Sequence, residues 1–122
     1  MSTFPVKKIF IVDDDESIHD IVNLIFEHDI VHGILNADGF EMAVLDFSPD
    51  IILMDIRMGN IDGRELCNTL KRNPEMAHFP ILLLSALTID PDNLGCEPDD
   101  LIEKPFDINN LIDKVNQLLA RK

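Results

Sequence analysis

Apolar residues along the chain follow two patterns. In the first, short runs are apolar at every position: Ile9-Phe10-Ile11-Val12, Ile51-Ile52-Leu53-Met54, Ile81-Leu82-Leu83-Leu84 and the brief Leu101-Ile102. A strand with one wet face alternates apolar and polar residues, so an unbroken run implies cover on both faces, as in a parallel sheet. A weaker run from Val31 to Leu35, interrupted by His32 and Gly33, suits a less protected edge strand. In the second pattern, apolar residues recur at i, i+3, i+4 and i+7, which puts one stripe of a helix against a core. Ile18, Ile21, Val22 and Ile25 make one such helix, and Ile108, Leu111, Ile112, Val115 and Leu119 another. Phe40, Ala43, Val44 and Phe47 predict a shorter one; Leu66, Cys67 and Leu70 mark a fourth segment that should end before Pro74.

Strand and helix therefore alternate, which favours a doubly wound α/β fold with right-handed crossovers over a bundle or a sandwich. The expected sheet has five parallel strands in the flavodoxin-like order 2-1-3-4-5. The stretch from Thr88 to Asp100 contains Pro91, Gly95 and Pro98 with little periodic apolarity, so the helix before the last strand should be shortened or irregular. No linker, repeat or low-complexity tract divides the chain. At 122 residues it has room for one substantial core, and residues 1–122 are expected to form a single domain with no attached output domain.

Composition narrows the class of function. A formal net charge of -13 repels a phosphate backbone, so direct nucleic-acid binding is not expected without a separate basic module. No apolar run is long enough to span a bilayer, and the N-terminal residues lack the apolar stretch of a signal peptide, which predicts a cytoplasmic protein without membrane insertion. Cys67 and Cys96 lie far apart and belong to no Cys-x-x-Cys pair, so they read as free thiols. His19, His28, His32 and His78 have no metal-ligand spacing and read as structural or exposed.

The acidic cluster Asp13, Asp14, Asp15 and Glu16 needs its own explanation. Each central apolar run ends in a polar residue that strand packing does not require: Asp13 and Asp14 after the first, Asp55 after the third, Ser85 after the fourth, with Lys104 just beyond the last. Ligands of open α/β sheets bind beyond the carboxyl ends of the strands, where the strand order reverses. In the order 2-1-3-4-5 that reversal lies between strands one and three, so Asp13 or Asp14 and Asp55 would flank it. Two unit charges ~4 Å apart repel by roughly 4 kcal/mol at an effective dielectric near 20, so a cation is required. Oxygen-only ligands with vacant positions suit Mg²⁺. Lys104 could pair with Asp55 at rest and with a phosphate oxygen afterwards, and Ser85 could donate to another. A carboxylate is a competent nucleophile toward phosphorus, and Asp55 stands at the centre of the group.

These residues resemble the receiver domains of response regulators in two-component signalling. The resemblance rests on Ile11-Val12-Asp13-Asp14-Asp15, Leu53-Met54-Asp55-Ile56-Arg57-Met58 followed by Asp62-Gly63, Leu84-Ser85-Ala86, and Lys104-Pro105-Phe106, and covers essentially the whole chain. It implies that Asp55 accepts a phosphoryl group, that Asp14 binds Mg²⁺ directly and Asp13 through water, and that the backbone carbonyl of Arg57 completes the protein's share. Ser85 and Lys104 would bind phosphoryl oxygens, and Lys104-Pro105 would be cis. The donor would be a histidine kinase or histidine phosphotransfer protein, and the readout a downstream protein or a phosphate relay. The side chains of Arg57 and Leu87 would tune the acyl phosphate's lifetime. Three features depart from the family's pattern: the shortened interval between Ser85 and Lys104, Leu101 where an aromatic switch residue is common, and Gly59 where proline is frequent, which should loosen that loop.

Taken singly these residues have ordinary explanations: Asp14 to Ser17 as a helix N-cap, Asp55 as a turn residue, Ser85 as a loop hydroxyl, Lys104 as a surface lysine. Their joint placement favours phosphoryl chemistry. The alternative is a receiver-like scaffold that works without phosphorylation. A phosphatase of the haloacid-dehalogenase type would need a second Asp two residues after the first, where Arg57 stands, and no Gly-rich loop supports a nucleotide enzyme.

Overall fold

The computed structural model describes residues 6–86 and 94–121. The elements run β1 (Lys8–Val12), α1 (Glu16–Ile25), β2 (Ile30–Ile34), α2 (Phe40–Phe47), β3 (Ile51–Asp55), β4 (Arg57–Met58), β5 (Ile61–Asp62), α3 (Gly63–Arg72), β6 (Ile81–Ser85), β7 (Asp100–Glu103) and α4 (Ile108–Ala120). Five strands form a parallel sheet in the order β2-β1-β3-β6-β7. Counting only these five, the order is the expected 2-1-3-4-5. The weak run is the edge strand β2, whose residues are half-buried or exposed.

The unbroken apolar runs are explained by two cores, one on each face of the sheet. Phe10 and Val12, Ile52 and Met54, and Ile81 and Leu83 face one core with Phe40, Val44, Cys67 and Leu70 from α2 and α3. Ile9 and Ile11, Ile51 and Leu53, and Leu82 and Leu84 face the other with Ile18 and Val22 from α1 and Leu111, Val115 and Leu118 from α4. Successive strand side chains point to opposite faces, so each run supplies both layers in turn.

Local chemistry sets the helix ends. Asp15, Asp62 and Asp107 are the N-caps of α1, α3 and α4, and each side chain accepts a hydrogen bond from the backbone N–H two residues on. Helix α3 carries Lys71 and Arg72 in its last turn, which complements the helix dipole, and ends before Pro74 as expected.

The sequence pattern did not announce the hairpin of β4 and β5, an antiparallel pair of two-residue strands between Asp55 and α3. Gly59 turns this loop at φ 58, a conformation that costs a glycine little. The expected irregular helix over 88–100 lies partly outside the described residues, which resume at 94; from 94 to 99 the backbone is irregular. That segment is nevertheless fastened to its neighbours. Asn68 donates to the Gly95 carbonyl at 2.9 Å, and Asp99 accepts from Lys71 Nζ at 3.0 Å and from the Ile81 N–H at 2.8 Å. Cys67 and Cys96 are free thiols as expected, and burial, with the neighbouring Cys96, pushes the Cys67 thiol up to about 12.

Gly63 opens α3 directly beneath the end of β3. Its N–H donates to the Ile56 carbonyl at 2.6 Å, and a Cβ there would lie 2.0 Å from the backbone oxygen of Asp55. Because the obstacle is backbone, no rotamer change relieves it. Gly63→Ala should therefore destabilise the protein by about 1–3 kcal/mol, the usual range for overpacking. Denaturant unfolding checks this, and a variant as stable as the wild type would refute the close approach.

Candidate functional site

Strand register brings the site together. Val12 of β1 pairs with Met54 of β3, so the next residues, Asp13 and Asp55, emerge side by side at the carboxyl ends of adjacent strands. Asp55 pairs with Leu84 of β6, one residue before Ser85, and Ser85 in turn pairs with Glu103 of β7, one residue before Lys104. The backbone N–H of Lys104 donates to the Ser85 carbonyl, and the Lys104-Pro105 bond is cis, as the resemblance implied. Among the described residues, the buried polar or charged ones are Asp13, Asp55 and Ser85. Burial of polar groups is costly, and in this protein it is concentrated at one place.

Carboxylate oxygens of Asp13, Asp14 and Asp55 lie within 4.8 Å of one another. Asp13 is fully buried, Asp55 nearly so, and Asp14 is exposed. This is an oxygen-only donor set with one side open to water, which fits a hard divalent cation that keeps part of its hydration shell. Within the acidic cluster, helix capping and the place beside Asp55 fall to different residues. Asp15 caps α1, accepting from the Ser17 N–H at 2.9 Å and its hydroxyl at 2.6 Å, while Asp13 and Asp14 are left to the site.

Lys104 reaches between the two buried carboxylates. Its Nζ lies 2.8 Å from Asp13 Oδ2 and 3.4 Å from Asp55 Oδ1. The sequence suggested Asp55 as its resting partner, but the nearer contact is to Asp13. Burial and then the neighbouring Asp13 carboxylate push the Asp55 pKa up, against the opposing pull of Lys104. Burial alone would lower the Lys104 pKa, but the Asp13 and Asp55 carboxylates outweigh it and hold the ammonium above its ordinary value.

Arg57 stands at the start of β4 with its side chain exposed, and its N–H makes a long 3.4 Å contact with Asp55 Oδ1. Across the hairpin it pairs with Asp62, which Arg64 holds in a salt bridge of 2.6 Å. Leu101 is half-buried against the core that contains Met54. Leu87 lies outside the described residues. Sequence reasoning missed His19, whose ring Nε2 lies 2.7 Å from the Asp13 carbonyl oxygen. It carried no motif and no spacing to any other ligand type. The only signal was its place six residues after Asp13, in the first turn of the helix that follows.

Comparison with known proteins agrees with this geometry. The family model for the response regulator receiver domain matches residues 9–116. The DNA-binding dual master transcriptional regulator RpaA of Synechocystis is 32% identical over 120 residues, 93% of this chain and 49% of the relative. The nisin biosynthesis regulatory protein NisR of Lactococcus lactis is 34% identical over 122 residues, 96% of this chain and 52% of the relative. The chain thus spans about half the length of these curated relatives. Among solved structures, a putative response regulator from Chloroflexus aurantiacus superposes with a TM-score of 0.86 at 25% identity, covering 95% of this chain and 99% of that one. The signal receiver domain of a histidine kinase from Syntrophus aciditrophicus gives 0.84 at 30% identity, covering 94% and 91%. With residues 9–116 matched by the family model, this chain belongs to the response regulator receiver domain family.

Proposed function

We propose that the chain is a phosphoacceptor module of a two-component phosphorelay, phosphorylated on Asp55 in a Mg²⁺-dependent reaction. The observation that carries this reading is the convergence of Asp13, Asp14 and Asp55 within 4.8 Å, with Lys104 bridging the two buried members. Asp13, Asp14, Asp55 and the Arg57 backbone carbonyl would hold the metal. When bound, Mg²⁺ would neutralise the cluster and stabilise charge on the transferred phosphoryl group.

The protein's own groups do the remaining work. Asp55 offers a carboxylate oxygen as nucleophile; its carbon-bound oxygen forms the bond to phosphorus as the bond to the donor nitrogen breaks. Lys104 would shift toward the new phosphoryl oxygens, and the Ser85 hydroxyl would donate to another. The donor would be a phosphohistidine on a kinase or phosphotransfer protein. The phosphorylated form would act in the cytoplasm by docking on a partner protein or by passing the phosphate on. Among the described residues no helix is long and apolar enough to cross a membrane, and the net charge of -13 disfavours direct nucleic-acid contact.

Intact mass after incubation with Mg²⁺ and a small-molecule phosphodonor tests the proposal. One phosphoryl group should be gained, and Asp55→Asn should gain none. A folded protein that binds Mg²⁺ but accepts no phosphate, from either a small donor or a kinase, would favour a scaffold independent of phosphorylation. Because Arg57 is exposed beside Asp55, Arg57→Ala should admit water and speed loss of the phosphoryl group severalfold without blocking its gain. Decay kinetics followed by mass check this, and an unchanged lifetime would rule Arg57 out.

The burial of Asp55, with Asp13 beside it, also predicts a pH-dependent stability. Its folded-state pKa is raised, so its ionised form opposes folding. That cost is absent below the unfolded pKa and fully present above the folded one. In metal-free buffer at neutral pH, Asp55→Asn should melt at a higher temperature than wild type, and the difference should vanish on acidification below about pH 4. A variant that melts lower at neutral pH would contradict this.

A further inference from the structure

We propose that His19 is a positioning residue of the metal site, bracing Asp13 through its backbone, and that Gly33 lacks a side chain to make room for that brace. The inference rests on the receiver reading of the acidic cluster.

Every polar group of Asp13 has a partner. Its N–H donates to the Ile34 carbonyl at 3.2 Å, Oδ1 accepts from the Asp15 N–H at 2.9 Å, and Oδ2 accepts from Lys104 Nζ at 2.8 Å. Its carbonyl oxygen accepts from His19 Nε2 at 2.7 Å. A carbonyl has only lone pairs to offer, so Nε2 must carry the proton. Two of these four contacts come from side chains, and they differ in permanence. The Lys104 ammonium and an arriving cation compete for the same buried carboxylate, so cation binding loosens the Lys104 contact. The His19 contact is to the backbone and survives that exchange. It then becomes the one side-chain restraint on Asp13 that holds in both states.

The room for the ring is specific. His19 sits in the first half of α1, half-buried, and its ring crosses the end of the sheet to β2. A Cβ on Gly33 would lie 2.3 Å from His19 Nδ1, 2.7 Å from Cε1 and 3.2 Å from Ile11 Cγ2. Gly33 lies inside β2, paired with Ile11. A glycine inside a strand weakens it and marks a place where another group approaches closely. Here the approaching group is the His19 ring, which accounts for the interruption of the β2 run.

Groups that orient a metal ligand typically change metal affinity about tenfold or more when removed. The chain has neither Trp nor Tyr, so Mg²⁺ affinity is best read by titration calorimetry, with thermal stability measured in parallel. His19→Ala should bind Mg²⁺ about tenfold more weakly. His19→Gln, whose amide N–H can still donate to the carbonyl, should recover most of that loss. Gly33→Ala should weaken binding by displacing the ring, and adding it to His19→Ala should cost nothing further, because the ring it displaces is already gone. Val22→Ala, which removes core packing from the same helix, should lower the melting temperature and leave Mg²⁺ affinity unchanged. Wild-type affinity in His19→Ala, or an affinity loss in Val22→Ala that tracks its melting temperature, would overturn the brace alone. Failure of the wild-type protein to bind Mg²⁺ would overturn the receiver reading and the brace with it.

Discussion

Asp13 and Asp55 are held out of water at the ends of neighbouring strands, and the architecture around them answers the repulsion between two buried carboxylates. A fold seeking only stability would place apolar residues there, because buried like charges lower each other's tendency to ionise. Lys104 offsets part of that cost by lying between them, closer to Asp13 than to Asp55. One ammonium cannot balance Asp13, Asp14 and Asp55 together. On the proposed function, the remaining negative charge would draw a cation into the crevice and, through that cation, an anionic phosphoryl group.

The sheet makes this arrangement rigid. Parallel strands covered on both faces bring their carboxyl ends to one edge, and the register that pairs Val12 with Met54 leaves little freedom in where Asp13 and Asp55 emerge. Lys104 is held by the turn after β7, whose backbone is tied to Ser85. Preorganisation of this kind would let charge stabilisation act without reorganising the protein during the proposed phosphoryl transfer.

Around the rigid centre lies a ring of tighter or looser supports. The β4–β5 hairpin and Gly63 clamp the backbone just after Asp55 against the start of α3. Helix α3 is joined in turn to the irregular segment from 94 to 99 through Asn68, Lys71 and the contact between Cys67 and Cys96. A physical connection thus runs from Asp55 to the edge of the sheet near Leu101. The Leu101 side chain offers packing alone, with no polar end to prefer a new position.

The five strands of the parallel sheet, the helices and the acidic, hydroxyl and basic residues at the strand ends were legible in the sequence because each depends on local periodicity or on a residue type in a turn; the β4–β5 hairpin was not. Edge placement of β2 was legible for the same reason, in the break at His32 and Gly33. What the linear pattern could not carry were relations between residues distant along the chain. Those are the His19 ring against Gly33, the preference of Lys104 for Asp13, the contact between Cys67 and Cys96, and the backbone approach that requires Gly63. Each is decided by distances of a few ångströms between elements, and those distances exist only after the two cores have packed. The sequence alone determined which groups would reach the crevice; tertiary packing decided which of them touch, because contact depends on register and helix position rather than on periodicity.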